Sequence, residues 1–220
     1  MSQLNIEQAR FNMVEQQVRP WDVLDQRVLN LISQLPREEF VPKAYRNLAF
    51  ADIEIPLGHE QVMMSPKLEG RVLQTLMLNP KDMVLEIGTG SGYFTALLAK
   101  LAKHVESVDI VEDFVKTANA RLKAFDINNV SLNTGDAANG WDNELQYDVI
   151  VLTGSVPVLE QHYYHQLKEG GCLFAIVGEE PIMQAQLVNR LTKTEFEMEI
   201  LFETSLPPLL GAPEPDRFVF

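Results

Sequence analysis

A short glycine-rich segment, Glu86–Gly92, stands out because three of its seven residues are glycine. Glycine adopts positive φ without strain and lets a ligand lie against bare backbone. Two aspartates follow it: Asp109, 19 positions after Gly90, and Asp136, directly after Gly135. Carboxylates accept hydrogen bonds from hydroxyl and amino groups, which a ribose and an adenine carry. The set predicts a site for a cofactor that contains a nucleoside.

The residue after the glycines narrows the class of cofactor. Dinucleotide sites usually place a further glycine where this chain has Tyr93, and the sequence lacks the Gly-Lys-Ser/Thr of a triphosphate loop. The order Glu86-x-Gly88-x-Gly90-x-Gly92 resembles the first motif of class I methyltransferases, which use S-adenosyl-L-methionine. The resemblance implies that the loop wraps the methionine part of that cofactor. The alternatives are an ordinary tight turn with a solvated Glu86 and a nicotinamide-dependent reductase, which Tyr93 disfavours.

The two aspartates predict contacts at the other end of the cofactor. Asp109 ends a short strand, where a carboxylate can accept hydrogen bonds from both ribose hydroxyls. Asp136 follows the next strand and is expected near the adenine amino group. The alternatives are a solvated aspartate at a strand end and a common Gly-Asp turn. The full set of predicted cofactor-binding residues is Glu86, Gly88, Thr89, Gly90, Gly92, Asp109, Ile110, Asp136 and Ala137.

The elements that position these residues alternate between strands and helices. The predicted strands are Met83–Ile87, Val105–Asp109, Val130–Asn133, Tyr147–Leu152 and Cys172–Val177, then an antiparallel pair, Ala185–Arg190 and Phe196–Phe202. Helices are predicted after the glycines to about Lys103, over Phe114–Phe125 and over Leu159–Leu167. This alternation predicts an α/β fold, a doubly wound and mostly parallel sheet of seven strands, Rossmann-like, with its ligand at the carboxyl ends of the strands.

The first 80 residues predict a helical extension that packs on the sheet. Amphipathic helices are expected over Asn5–Val18, over Asp25–Leu35 and from Ser65, which is predicted to cap its helix with Pro66 in the first turn. An irregular, apolar segment from Phe40 to Ser65 predicts a lid or a substrate-facing wall. We therefore expect residues 1–80 to face the substrate, residues 81–220 to bind the cofactor, and both to form one compact unit.

Composition restricts the classes of partner. The formal net charge is −13 and the pI about 4.7, which argues against binding to nucleic acid. Cys172 is the only cysteine, so a reducing compartment is expected. The histidines lack the spacing of a metal site, and no apolar run reaches membrane-spanning length. We expect a cytoplasmic protein that needs no metal, nucleic acid or membrane.

Several segments of the chain, taken in order, resemble the protein-L-isoaspartate O-methyltransferase family. The segments are Met13–Gln17, Pro36–Pro42, Ala49–Asp52, Ile55–Gly58 and Val84–Tyr93, within a resemblance that extends from about Asn5 to Gly178. The resemblance implies methyl transfer from S-adenosyl-L-methionine to the carboxylate of an isoaspartyl residue in a damaged protein. The methyl ester then closes to a succinimide, which can reopen as normal aspartate.

One segment departs from the family where the acceptor is expected. The family has Gln-Thr-Ile-Ser-Gln-Pro, whose threonine and serine hydroxyls face the reacting carboxylate, whereas this chain has Val62 and Met64 at those two positions. Met64 therefore marks the catalytic serine position, and Ser65 is a candidate to replace that serine, against its alternative role as a helix cap. His59 is a candidate base, or an exposed loop residue. The tail around Ser205–Leu209 also matches the family only loosely.

Two functions from different classes remain open on the sequence. The first is an S-adenosyl-L-methionine-dependent O-methyltransferase that acts on an isoaspartyl protein or a related acceptor. The second is a protein that binds the same cofactor without isoaspartyl activity, either with another acceptor or as a sensor or scaffold. Methyl transfer needs little acid–base help because the acceptor carboxylate is already ionised, so positioning and desolvation are expected to dominate.

Overall fold

The computed structural model describes residues 3–141 and 144–213. Within these residues the α-helices are α1 (Gln3–Met13), α2 (Gln26–Gln34), α3 (Pro66–Thr75), α4 (Tyr93–Leu101), α5 (Glu112–Ala124) and α6 (Gln161–Gln166). The strands are β1 (Ile55–Gly58), β2 (Gln61–Met63), β3 (Met83–Ile87), β4 (His104–Asp109), β5 (Val130–Thr134), β6 (Tyr147–Val156), β7 (Leu167–Glu179), β8 (Ile182–Arg190) and β9 (Phe196–Thr204).

Seven strands form one sheet in the order β5-β4-β3-β6-β7-β8-β9. The first five in this order are parallel, and β8 and β9 are added antiparallel at one edge. The predicted fold, a doubly wound and mostly parallel sheet of seven strands with an N-terminal helical part, is confirmed. The strands do not lie in the sheet in the order in which they occur in the sequence, because β3 lies between β4 and β6. Ligands of such sheets bind where the strand order reverses.

Burial explains why β3 and β6 are central. Strand β3 buries four of its five residues and β6 buries all but two of its ten, so both have protein on each face. The parallel register places Ile87 beside Val108 and Leu152, so β3, β4 and β6 reach the same edge of the sheet together. The loops that follow these strands therefore meet at one place.

The N-terminal helix is interrupted, which corrects the prediction of a regular helix over Asn5–Val18. The α-helix ends at Met13 and continues as a π-helical turn, Val14–Val18, before a short 3₁₀ turn that contains Pro20. The wider turn keeps Val14 and Val18 on the buried side. Helix α2 follows the prediction, and Asp25 caps it by accepting a hydrogen bond of 2.8 Å from the Arg27 backbone.

The apolar segment predicted to be irregular contains a small antiparallel hairpin, β1 and β2. Its turn passes through Gly58, His59 and Glu60, all with positive φ. The tail also forms regular pairing, although it contains Pro207 and Pro208. Pro208 forms a parallel bridge with Ser155, whose backbone is bonded to Pro207 and Leu209 at 3.0 and 2.9 Å.

One hydrophobic cluster joins the N-terminal part to the sheet. Phe40, fully buried, lies with its ring 5.5 Å from that of Tyr93 and 5.4 Å from that of Phe125. The same cluster contains Val84 of β3 and Ile176 of β7. This packing fixes the hairpin and α3 over the carboxyl ends of the strands. In the described part of the chain, no helix combines the length and the apolar character that a membrane crossing requires.

Candidate active site

The glycine loop connects β3 to α4 and lines a cleft at the carboxyl ends of the strands. Gly88 has φ of +101°, and a Cβ there would lie 2.3 Å from Thr153 Oγ1. Gly92 has φ of +81°, and a Cβ there would lie 2.8 Å from that of Ala118 in α5. Only glycine fits both places. Gly88, Thr89 and Gly90 line the cleft, whereas Gly92 is the N-cap residue of α4 and is not among the described lining residues.

Asp109 lines the cleft at the end of β4, as its predicted role requires. Its Oδ2 accepts a hydrogen bond of 2.8 Å from the Gly90 backbone, and Oδ1 one of 2.9 Å from Val111. Burial raises the pKa of Asp109 above its usual value, and the bonds from these backbone amides oppose the rise. Each carboxylate oxygen has a second lone pair, so the group can hold the loop and still accept ribose hydroxyls.

Glu86 lies behind the loop and is not among the described residues that line the cleft. It is fully buried and accepts hydrogen bonds from Thr95 Oγ1 at 2.5 Å and Ser107 Oγ at 2.6 Å. Ser107 is also bonded to the hydroxyl of Thr89, a cleft residue, at 2.6 Å. Burial raises the pKa of Glu86 to about 8, so at neutral pH it is mostly protonated. Its geometry therefore indicates support of the loop through Thr89.

Only some of the residues predicted near the adenine line the cleft. Ile110 and Ala137 line the cleft, together with Gly135 and Ala138. Asp136 is exposed and lies outside the described lining, and its Oδ1 accepts a hydrogen bond of 3.0 Å from the Ala138 backbone. The structure thus gives Asp136 a local turn contact, and its contact with adenine stays a prediction.

The hairpin and the tail form the cover of the cleft. Leu57 of β1 approaches Gly90, where a Cβ would lie 3.2 Å from the leucine Cδ1. Leu209 packs against Gly88 and Gly154 from the other side. The Gln61 side chain joins the two parts by donating to the Pro208 carbonyl at 3.1 Å. The tail contacts were missed from the sequence because its partners are far away along the chain.

The segment that departs from the family, Gln61–Pro66, lies at one end of this cover, and we call it the acceptor segment. Val62, Met63 and Met64 line the cleft, so both positions that lack the family's hydroxyls face it. Ser65 is buried but outside the described lining. It occupies the cap position of α3, with Pro66 as predicted, yet its side chain makes no capping hydrogen bond. The predicted cap is therefore right in position and wrong in its hydrogen bond.

A buried ion pair beneath the acceptor segment was not predicted. Glu69, in the first turn of α3, also lines the cleft and pairs with Arg37, which is fully buried. Arg37 donates further hydrogen bonds to the carbonyls of Met64 at 2.7 Å and Ala49 at 2.9 Å. The sequence did not indicate this pairing, although Arg37 lies within the family-like segment Pro36–Pro42. Arg37 therefore fixes the backbone on which the acceptor segment depends.

His59 is exposed at the hairpin turn and contacts Phe114, with ring centroids 5.6 Å apart. This contact supports a role in the cover. In the ranges that the structure describes, no group of three or more His, Cys, Asp or Glu side chains could hold a metal ion. The cleft thus offers a backbone loop, one carboxylate for hydroxyl groups and an apolar end, which suit binding and alignment of a charged nucleoside cofactor.

Comparison with known proteins gives the family. A family model for protein-L-isoaspartate(D-aspartate) O-methyltransferase matches residues 9–212, so the match continues beyond Gly178, where the sequence resemblance was expected to end. A protein-L-isoaspartate O-methyltransferase of Aliivibrio fischeri is 35% identical over 205 residues, which cover 92% of this chain and 97% of that protein. One of Cronobacter sakazakii is 37% identical over 196 residues, covering 88% and 92%.

Solved structures show the same fold. A structure described as a protein-L-isoaspartate O-methyltransferase from Plasmodium falciparum in complex with S-adenosyl-L-homocysteine has a TM-score of 0.79, with 19% identity and coverage of 91% of this chain and 97% of that one. A second protein-L-isoaspartate O-methyltransferase also has a TM-score of 0.79, with 24% identity and coverage of 92% and 66%. With its match over residues 9–212 and these relatives, the chain belongs to the protein-L-isoaspartate(D-aspartate) O-methyltransferase family, whose members are S-adenosyl-L-methionine-dependent O-methyltransferases.

Proposed function

We propose that this chain transfers the methyl group of S-adenosyl-L-methionine to the α-carboxylate of an isoaspartyl residue in a damaged protein or peptide. The observation that carries the proposal is that the glycine loop with Asp109 and the acceptor segment with Met64 line one cleft. A donor bound on the loop and an acceptor bound at Met64 would therefore meet. Membership of the family supports the same reaction.

The proposal divides the work between the two parts of the chain. Residues 81–220 hold the cofactor, with Asp109 at the ribose and Gly88, Thr89 and Gly90 at the methionine part. Asp136 and Ala137 are proposed for the adenine. Residues 1–80 present the acceptor through the hairpin and the first turn of α3. The hydrophobic cluster around Phe40 supports this arrangement because it packs the two parts on each other.

Methyl transfer depends mainly on the alignment of the methyl donor with the acceptor oxygen. The cofactor supplies a methyl group on a positively charged sulfur, which is already activated. The acceptor oxygen forms the new bond to the methyl carbon as the bond to sulfur breaks, and the electron pair of that bond stays on sulfur. This chain's contribution is to orient both groups and to exclude water, for which Leu57, Phe94 and Leu209 line the cleft.

A second candidate function has its own observation. Val62 and Met64 line the cleft without a hydroxyl, so the acceptor carboxylate lacks two donors that the family provides. This favours a family member that binds the cofactor but methylates another acceptor, or none. Where there is an acceptor, it is a protein, a peptide or a related carboxylate. The single cysteine, Cys172, supports a reducing compartment, and we place the reaction in the cytoplasm.

Two measurements test the proposal together. Calorimetry with S-adenosyl-L-homocysteine tests the cofactor site, where we expect binding in the micromolar range typical of enzyme ligands. Transfer of a labelled methyl group to an isoaspartyl peptide, with the aspartyl peptide of the same sequence as control, tests the reaction. Label on the isoaspartyl peptide alone is the expected result. Binding without any transfer would favour the second candidate, and a methyl-label assay on a cell lysate would then search for its acceptor.

A further inference from the structure

Glu69 is a carboxyl group that cofactor binding does not account for. Only 2% of the residue is exposed, yet it lines the cleft beside Met64. Its backbone N–H donates a hydrogen bond of 3.1 Å to the Ser65 carbonyl, so its place relative to the acceptor segment is fixed. A buried charge is costly unless it is paired and hydrogen-bonded, so such a group in a cleft calls for a function.

Arg37 compensates the charge of Glu69 and holds the carboxylate in place. Its Nη1 bonds to Glu69 Oε2, while Nη2 and Nε bond to the carbonyls of Met64 and Ala49. The guanidinium also lies over the Tyr93 ring, 5.0 Å from its centroid. With each of its three nitrogens engaged, Arg37 serves as the support of Glu69 and of the Met64 backbone.

One oxygen of Glu69 is left for a ligand. Among the residues that the structure describes, no hydrogen bond uses Oε1, whereas Oε2 has Arg37. Burial raises the pKa of Glu69 to about 7, and the charge of Arg37 opposes the rise. In its ionised form this carboxylate only accepts hydrogen bonds, so the partner that complements Oε1 is a donor, such as an N–H group.

An isoaspartyl residue offers such a group in the required place. Its reacting carboxylate sits on the α-carbon, and that carbon also carries the amide N–H. The side-chain carboxylate of a normal aspartate or glutamate has a methylene carbon there instead. An acceptor for that N–H would therefore distinguish α-carboxylates from side-chain carboxylates, even though the side chains of Val62 and Met64 offer the carboxylate no donor.

We propose that Glu69 is a specificity-determining residue, which accepts a hydrogen bond from the N–H on the α-carbon of the methyl acceptor. This inference rests on the proposed isoaspartyl function. In this chain recognition moves from the carboxylate, which the family contacts through hydroxyls, to the neighbouring N–H. Arg37 is a positioning residue that acts through Glu69.

The test crosses two proteins with two peptides. The proteins are the wild type and Glu69→Gln, which keeps the shape of the side chain but removes its charge. The peptides are an isoaspartyl peptide and its analogue methylated on the isoaspartyl nitrogen, which has no N–H. We expect N-methylation to lower kcat/KM of the wild type about tenfold, mostly through KM. The loss in Glu69→Gln is expected to be about fivefold smaller, because a neutral amide accepts less strongly.

A matched control separates this contact from net charge. Glu199→Gln removes the same charge from an exposed position on β9, and it is expected to keep the wild-type ratio between the two peptides. Calorimetry with S-adenosyl-L-homocysteine is expected to be unchanged in both variants. Glu69→Asp, which keeps the charge but withdraws it by one methylene, is expected to reduce the ratio as well.

The outcomes that overturn the proposal are distinct. Equal ratios in the wild type and Glu69→Gln, or an equal drop in Glu199→Gln, would refute a contact by Glu69. If both Glu69 variants fail to fold, the wild type still decides, because a loss below about threefold on N-methylation contradicts the contact. Cofactor binding with no methylation of either peptide would overturn the proposed function, and this assignment with it.

Discussion

At the cofactor end of the cleft, neighbouring strands hold the loop mainly through its backbone. Gly88 donates to the Val108 carbonyl at 2.8 Å, Gly90 donates to Asp109 at 2.8 Å, and Thr153 donates to the Gly88 carbonyl at 2.5 Å. At the acceptor end, long side chains connect segments that are far apart in sequence. Arg37 reaches Met64, and Gln61 reaches Pro208, 147 positions along the chain.

Because backbone contacts hold the cofactor end and side-chain contacts hold the acceptor end, the two ends are expected to tolerate substitution differently. The backbone contacts of the glycine loop survive most side-chain changes, provided that the glycines and Asp109 are kept. The acceptor end depends on a few side chains, so it can change specificity while the cofactor site stays intact. We expect Val62 and Met64, which stand where the sequence resemblance implies two hydroxyl side chains, to be such a change. Substitutions at each end test whether the two ends are separable in this way.

The largest effect is expected at Met64 and Val62. Loss of a hydrogen-bond donor aimed at developing or reacting negative charge usually costs a factor of about 10²–10³ in rate. We therefore expect weak turnover of a standard isoaspartyl peptide, with normal binding of S-adenosyl-L-homocysteine. The double change Val62→Thr with Met64→Ser is expected to raise kcat/KM by a factor of that order. Steady-state kinetics with a labelled methyl donor measures it.

The control is Met198→Ser, which makes the same exchange at an exposed position on β9 and is expected to leave turnover unchanged. Wild-type turnover as fast as that of relatives with both hydroxyls would show that the hydroxyls are dispensable here. No gain in the double variant would place the altered specificity more widely, with the tail at Leu209 as the next region to exchange.

Asp109→Ala is expected to have the next largest effect, at the other end of the cleft. The change removes the proposed acceptor for the ribose hydroxyls and the partner of the Gly90 backbone, and together these losses are expected to cost about 1–3 kcal/mol of cofactor affinity. Calorimetry with S-adenosyl-L-homocysteine measures the loss, with Asp113→Ala, exposed on α5, as control. An affinity equal to that of the wild type would remove Asp109 from the site.

The same contrast explains what the sequence could predict. The glycine loop, Asp109 and the order of strands follow from local patterns, since a strand, a turn and a helix are specified by adjacent residues. All seven strands of the sheet were predicted, but some of their ends were not. Strand β6 extends further than predicted, to Val156, and β7 begins earlier than predicted, at Leu167. These ends are set by pairing with neighbouring strands, which the sequence does not display.

The acceptor end was only partly predictable. The apolar residues after Phe40 predicted a covering wall, but they did not predict its hairpin. The hairpin turn has three residues with positive φ, and two of them, His59 and Glu60, are not glycine. Positive φ is uncommon for residues other than glycine. The Arg37–Glu69 pair was missed since its members are 32 positions apart. Side-chain contacts of this kind depend on tertiary packing and leave no periodic signal.

The protonation state of Glu86, behind the cofactor loop, can be tested through the pH dependence of the free energy of unfolding. Its folded-state pKa is about 8, above its ordinary 4.5, because burial disfavours the ionised form. The unfolded chain ionises above pH 4.5 while the folded protein keeps the proton, so the free energy of unfolding falls as pH rises towards 8 and levels off beyond it. We expect this group to contribute a fall of about 1.4 kcal/mol between pH 6 and 7.

Glu86→Gln removes that contribution because the amide does not titrate. Urea unfolding of both proteins at pH 5, 6, 7 and 8 measures the effect. The difference between them cancels the other titrating groups, Glu69 and Asp109 among them. We expect the variant to gain stability relative to the wild type as pH rises. A difference that is constant with pH would mean that Glu86 is ionised in the folded protein.

The smallest effect is expected where the two ends are joined, at Gln61. Its side chain connects the hairpin to the tail through a bond of 3.1 Å to the Pro208 carbonyl. Gln61→Met removes this donor but keeps the length of the side chain. The loss of about 1 kcal/mol from the closed cover is expected to speed release of S-adenosyl-L-homocysteine about fivefold. Stopped-flow displacement of the bound product measures the rate.

Gln146→Met provides a matched control for that measurement. Gln146 also donates from an exposed side chain to a backbone carbonyl at 3.1 Å, that of His165, but it is not among the described residues of the cleft. Its loss is expected to leave product release unchanged. Faster release in Gln61→Met alone would show that the acceptor-side hairpin retains the cofactor, so the two ends of the cleft are coupled through their shared cover. Equal release in both variants and the wild type would make them independent.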